Sequence, residues 1–325
     1  MADMVVGSIL HGAYGDLYEQ ALCLKHYAIT NPGVELRLFA ATQSRLNAFR
    51  VLDLSFAASF DLWTTIESYP DLQSFFQFQV HDVDLHKDAL QHLPESVLAK
   101  LDRTENRLPW RYMRDHKLIP APERYALELN SYGREQLTRV AAANGVREEI
   151  WSRPTISFLW RYRKGQGAIS SRGQKPEAEL VAAYSKMFRD LIARFDCHIL
   201  VCGMNVVTDE TNRERTDNKY PSFGLELPAD RVTYMQGLSW PLELEIASRA
   251  TVCCGHASGF TEGQWIKRGR DMVLMDAPPH YLAKAAYHRM PLFGLNNPIK
   301  LAGMLLNRSP ESYGRDIAAI LKARQ

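Results

Sequence analysis

Residues 231–276 constrain the fold more than any other stretch, because short apolar runs alternate there with segments of helical period. The runs at 232–235, 250–254 and 272–275 read as strands, and the segments between them space their apolar residues as helices do. That β-α-β-α-β order is how a parallel sheet covered by helices looks in one dimension. At the middle junction, Cys253-Cys254 runs into Gly255-His256-Ala257-Ser258-Gly259, and Phe260-Thr261-Glu262 opens the next helix. A small, glycine-containing loop between a parallel strand and a helix N-terminus offers backbone N–H groups and a positive dipole end to an anion, here a phosphate or diphosphate. Ligands of open α/β sheets also gather outside the carboxyl ends of the strands. The same residues would equally serve a plain turn in which Ser258 or Thr261 caps the helix.

The N-terminus repeats the theme. Residues 4–10 form a short apolar strand that ends in His11-Gly12-Ala13-Tyr14-Gly15-Asp16. Residues 17–27 have helical spacing, Asn31-Pro32-Gly33 stops them, and 34–40 form a second strand. The glycines let a ligand approach the backbone closely, and Asp16 stands at the mouth of the sheet, where a carboxylate can act as a base. Asp16 fits as well as an N-cap or first-turn acid favoured by the helix dipole. His11 and His256 are further candidates for base or phosphate contact, and both also suit structural positions.

Residues 44–52 read as helix, 56–64 as mixed, 75–83 as strand, and 93–147 as helical and strongly charged. Within them Leu108-Pro109-Trp110-Arg111-Tyr112 either stacks on a sugar or base or packs as a helix edge. His81, Asp82, Asp84 and His86 would share one face of a strand, either as metal ligands or as a solvated strand end. A domain boundary is expected near residue 150. Beyond it, the strand at 155–160 leads into Arg161, Arg163 and Lys164 beside Gly165 and Gly167. Forked guanidinium donors beside flexible glycines suit phosphate oxygens, and a solvated basic loop is the plain alternative. A helix at 176–195 and a strand at 198–202 follow, then a polar, turn-rich segment at 207–224 expected as a mobile loop or lid. Residues 309–324 form a closing amphipathic helix. The expected division is therefore 1–150, 151–308 and 309–325: two Rossmann-like α/β domains facing a cleft, with a final helix.

A chain of 325 residues, 46% hydrophobic, can build two such cores. A net charge of +2 creates no whole-molecule field for nucleic acid. No apolar run approaches the length of a membrane span and no export signal opens the chain, so the expectation is a cytoplasmic protein with at most peripheral contact at the inner face of the membrane. The five cysteines form no Cys-x-x-Cys pair and suit small core residues in a reducing compartment.

Gly15-Asp16 at the first turn, Arg161 and Arg163 after the first strand of the second half, and the stretch 242–262 together resemble the two-domain glycosyltransferases of the GT-B fold. Two branches come into view. The heptosyltransferase-like branch has Gly-Asp at the same turn, with the Asp as acceptor-side base, and a late small-residue loop that receives the donor diphosphate. The fucosyltransferase branch has an Arg-rich strand end and a later Glu, Ser-Arg and Ser-x-Phe pattern, matched loosely by Glu243 or Glu245, Ser248-Arg249 and Ser258-Gly259-Phe260. Its His-x-Arg-Arg-x-Asp is absent, since Arg161-Tyr162-Arg163-Lys164 has different spacing, and Lys164 lies close to where heptosyltransferases carry a lysine.

The resemblance implies a metal-independent inverting transferase without a cofactor, taking a sugar from a nucleotide-diphosphate donor to a hydroxyl of a glycan or lipid-linked acceptor. It implies Asp16 as base, with His11, Tyr14 and Gly15 on the acceptor side. Arg161, Arg163, Lys164, Ser258, Gly259 and Phe260 would hold the donor diphosphate, and Glu262 and His256 would lie at its ribose or base. Tyr14, Trp110, Trp160 and Trp240 either line the acceptor site or pack in cores. A nucleotide-sugar epimerase of the same fold and a non-catalytic nucleotide- or sugar-binding module are the competing readings.

Overall fold

The computed structural model describes residues 4–10, 14–69, 76–77, 126–159, 178–204, 207–208, 214–215, 225–236, 238–256, 259–268, 271–275 and 309–325. The first lobe runs β1 (Met4–Leu10), α1 (Tyr14–Thr30), β2 (Val34–Ala40), α2 (Gln43–Phe49), β3 (Ser59–Leu62), a 3-10 turn over Trp63–Ser68, and β4 (Phe76–Gln77). Two helices, α3 (Ser131–Ala143) and α4 (Glu148–Trp151), lead into the second lobe. That lobe contains β5 (Thr155–Leu159), α5 (Ala178–Phe195), β6 (His198–Met204), β7 (Val207–Thr208), β8 (Glu214–Arg215), β9 (Val232–Gln236), α6 (Trp240–Ala247), β10 (Val252–His256), α7 (Gly259–Arg268), β11 (Asp271–Met275) and α8 (Pro310–Arg324).

Both large sheets are parallel. The first has the order β3-β2-β1-β4, with Met4 opposite Val34 and Leu10 opposite Ala40 along β1 and β2. The second has the order β11-β10-β5-β6-β9. Its chain starts at the centre, winds outward through β6 and β9, and then returns to the other side of β5. Every residue of β5 and β10 is buried, as strands covered on both faces must be. The polar residues they contain, Thr155, Ser157 and His256, are buried with the apolar ones.

The order reverses between β5 and β10, and in the first sheet between β1 and β4. Such switch points leave a crevice outside the strand ends, because the two connecting helices depart to opposite faces. Both glycine-bearing segments singled out in the sequence follow strands at these points, β1 and β10. The α/β architecture expected from the sequence, two parallel-sheet lobes of Rossmann type, is the one found.

One face of the second sheet is closed by α5 and α8 around Phe158, Tyr184, Phe188, Tyr313 and Ile317. Its other face is not separate from the first lobe. Val6, Leu10, Leu17 and Leu36 form one continuous cluster with Leu159, Leu200, Met235, Leu242 and Leu244. At the seam between the lobes lies α6, all eight of whose residues are buried. It packs on α7 and β6 on one side and on α2 and α3 on the other.

Two local expectations differ from the structure. Helix α1 begins at Tyr14, so Gly15 and Asp16 belong to its first turn instead of preceding it. Strand β10 continues to His256, because its ladder to β11 runs two residues past Cys254, to His256 opposite Met275. Within 207–224, Val207–Thr208 and Glu214–Arg215 pair as a short antiparallel ribbon.

Candidate functional site

The carboxyl end of β10 is shaped by one glycine. Gly255 has φ +140°, a region that side chains rarely enter, and a Cβ added there would lie 2.3 Å from the carbonyl oxygen of Leu159 on β5. The two strands thus meet backbone to backbone at the switch point. His256 follows, buried, with Nδ1 3.4 Å from that same carbonyl oxygen and its ring 6.4 Å from that of Tyr184. From the first turn of α7, the Thr261 hydroxyl donates to the His256 carbonyl oxygen at 2.9 Å and ties the helix start back to the strand end. Phe260 is buried against the Trp240 indole.

In the first lobe, Gly15 is buried and Tyr14 half-buried in the first turn of α1. Asp16 is the third residue of that helix, where a carboxylate gains from the positive dipole end. Helices α1 and α7 pack directly on each other. The first turn of α1, which carries Tyr14, Gly15 and Asp16, and that of α7, which carries Gly259, Phe260 and Glu262, both reach Trp240. The Tyr14 ring stacks on Trp240 at 6.2 Å and 25°, and Trp240 meets Phe260 edge-on at 5.9 Å. One indole spans the two candidate halves.

His11, Arg161, Arg163, Lys164 and Ser258 lie outside the described residues, as do Trp110, Trp160 and the cluster from His81 to His86. Among the described residues, β5 ends at Leu159, beside the strand that carries Gly255.

The polar framework behind the site includes Glu243 and Glu245, which the sequence offered only as a loose family match, and two lysines that it did not single out. Glu243, on α6, is fully buried, and its carboxylate accepts the Gly203 N–H at 2.7 Å. Gly203 has φ +88° and sits where the register of β6 against β9 shifts between Val201 and Met204. Glu243 thus fixes the irregular carboxyl end of the strand next to β5. Lys267, on α7, is also buried; its Nζ lies 2.8 Å from Glu245 Oε2 and donates to the Leu127 carbonyl oxygen at 2.7 Å. Lys25, on α1, donates to the carbonyl oxygen of the preceding residue, Ala126, and burial holds its pKa below the ordinary lysine value. Two lysines, one from each lobe, grip adjacent carbonyls of a single strap. The signal that could have revealed this is the segment Trp240-Pro241-Leu242-Glu243-Leu244-Glu245-Ile246-Ala247, which has no polar face except for its two glutamates.

All five cysteines are unpaired by disulfides and buried. Burial pushes the Cys197 thiol up to about 12 and those of Cys202 and Cys254 well above the ordinary value, so these three keep their protons. They are core residues, not nucleophiles. Among the described residues no helix is long and apolar enough to cross a membrane.

No protein-family model and no curated protein matches the chain. Among solved structures it is similar to ADP-heptose lipopolysaccharide heptosyltransferase II of E. coli, with TM-score 0.61 and 12% identity over 99% of each chain. It is also similar to a glycosyl transferase family 9 protein of Veillonella parvula, with TM-score 0.59 and 10% identity over 99% of this chain and 98% of that one. At such identities the likeness is one of fold, and the shared fold is the GT-B type.

Proposed function

We propose that the chain is a glycosyltransferase of the heptosyltransferase-like branch, metal-independent and inverting, that moves a sugar from a nucleoside-diphosphate donor to a hydroxyl of a glycan or lipid-linked acceptor. The observation that carries this reading is the packing of α1 on α7 together with the meeting of their first turns on Trp240, which links an acid-bearing helix start at one switch point to a glycine-bearing helix start at the other. The fold shared with the heptosyltransferase II structure supports the choice of branch.

In this reaction the acceptor oxygen forms a bond to the anomeric carbon as the bond from that carbon to the donor phosphate oxygen breaks. The acceptor proton passes to the Asp16 carboxylate, and the nucleoside diphosphate leaves with the bonding electron pair. Negative charge grows on the leaving phosphate, where fixed N–H groups at the start of α7 and the side chains of Arg161, Arg163 and Lys164 stabilise it. Their three positive charges supply what a divalent cation would otherwise supply. A single displacement inverts the anomeric carbon, as when base and leaving group of inverting glycosidases lie on opposite faces of the sugar. Glu262 and His256 are assigned to the donor's ribose or base, and His11, Tyr14 and Gly15 to the acceptor side. The enzyme works in the cytoplasm, with at most peripheral contact at the inner face of the membrane.

The test is thermal denaturation with ADP, GDP, UDP and CMP, each with and without EDTA, since a ligand that binds only the native state raises the melting temperature by mass action. Selective stabilisation by one nucleoside diphosphate, unchanged by EDTA, is the expected result. No stabilisation by any of them would end the transferase reading, and stabilisation abolished by EDTA would end its metal independence.

A further inference from the structure

We infer that Trp240 is a positioning residue that sets the separation between the N-terminal turns of α1 and α7, and with it the distance from base to donor loop. Its catalytic meaning rests on the transferase reading, whereas the spacing itself does not. The indole is 8% exposed and stands between three rings: Tyr14 stacked at 6.2 Å, Tyr18 tilted at 5.6 Å and Phe260 edge-on at 5.9 Å. Phe49, on α2, extends the run on the far side of Tyr14 at 6.5 Å and 16°. On α7, Gly263 leaves room for this approach, because a Cβ there would come within 3.4 Å of Trp240 Cη2 and 3.2 Å of Leu244 Cδ1.

The seat of the wedge is itself fixed. Pro241 sets the start of α6, and farther along that helix Glu243 holds the Gly203 N–H and Glu245 pairs with Lys267. Trp240 therefore has a rigid base in the second lobe and presents its ring to the first. A flat ring between two helix starts fixes their spacing where an aliphatic side chain would let them collapse or slide. Reactions between two held groups are sensitive to such shifts, and about 1 Å of misplacement can cost on the order of 100-fold in rate.

The experiment places nitroxide labels at Ile29→Cys on α1 and Ala182→Cys on α5, both exposed, in the full-length protein whose native cysteines are all buried. Distance distributions are read by pulsed electron resonance in the otherwise wild-type background and in Trp240→Phe and Trp240→Leu. One narrow distance is expected with Trp240 and with Phe, and a shifted or broadened one with Leu. Phe260→Leu, which removes a contacting ring without touching Trp240, is expected to broaden the same distribution. An unchanged distribution in Trp240→Leu, or a failure of Phe to restore it, would overturn the inference. Binding of ADP, GDP and UDP is followed in the same samples. Retention of nucleotide by the Leu variant beside an altered distance is the expected pattern, and loss of nucleotide in the Phe variant at an unaltered distance would assign Trp240 to the donor site instead. If the unsubstituted protein binds none of the three, the transferase reading fails, while the distance measurement still decides the role of Trp240.

Discussion

The two lobes are built on the same plan but are closed differently. The second sheet has one face sealed within its own lobe by α5 and α8, around Phe158, Phe188 and Ile317. The first sheet shares its main cluster with the seam, where Leu10 and Leu17 belong to the same apolar body as Leu159 and Leu244. The second lobe therefore carries its own stabilising core, and the first draws much of its own from the contact between them. The second lobe's switch point, held by backbone contact, and the first lobe's, held by the seam, should respond differently to substitution.

The largest effect is expected at the backbone contact. Gly255→Ala forces a side chain into a positive-φ residue and against the Leu159 carbonyl, which together should cost about 4 kcal/mol of unfolding free energy. Denaturant titration measures it. A loss below about 1 kcal/mol, the size of an ordinary exposed-helix Gly effect, would show that β5 and β10 can separate and that their switch point is not rigid.

The seam should yield next. Lys267→Met leaves Glu245 and the Leu127 carbonyl oxygen buried without their ammonium partner, a change expected to cost about 3 kcal/mol. Combining it with Glu245→Leu removes the orphaned charge, so the double variant should be more stable than Lys267→Met alone. If the two changes simply add, the pair is not what ties α7 to α6. Asn130→Ala acts on the strap's attachment to the first lobe. Asn130 caps α3 through the Gly133 N–H at 2.8 Å and donates from Nδ2 to the carbonyl oxygens of Arg50 and Leu52. Its loss should cost about 1.5 kcal/mol.

What the sequence made legible follows the same division between local and distant causes. The bounds of β1 and β2 could be read because apolar-rich segments are set off by Asn31-Pro32-Gly33 and by glycine turns, signals that lie within a few residues. Strand β10 was read two residues short, because Gly255 breaks an apolar run locally while its ladder to β11 is a tertiary fact. In sequence the buried Lys267 stands among the charges of Lys267-Arg268-Gly269-Arg270. Its partner at Leu127 is 140 positions away, and no periodicity within a helix reports such a contact. The role of Trp240 was hidden for the same reason, since Tyr14, Tyr18 and Phe260 come from two other helices. Tyr14, Gly15, Phe260 and Glu262 could be picked out because glycine turns mark strand ends, and strand ends of open α/β sheets are where ligands collect.

The smallest effect is a pH dependence inside the second lobe, away from the seam. His198 opens β6, is buried, and shares a hydrogen bond of 2.9 Å between Nε2 and the Thr233 hydroxyl of β9. Burial lowers its pKa, the positive charge of Arg153 adds to this, and Asp230 opposes it. The folded state thus binds a proton less readily than the unfolded chain. Above the ordinary histidine value of about 6.5 both states are neutral and this group leaves stability unchanged. As pH falls through that value the unfolded chain protonates first, and stability is lost until the folded-state pKa is reached. His198→Gln keeps a donor for the Thr233 hydroxyl without a titrating group, so its unfolding midpoint should fall less than that of the wild type between pH 7 and 5. Because this strand contact belongs to the self-contained lobe, the difference should persist in the Lys267→Met background, where the seam is already weakened. Parallel profiles for His198→Gln and wild type would remove His198 as the source, and a difference that vanished with Lys267→Met would show that the second lobe's stability also depends on the seam.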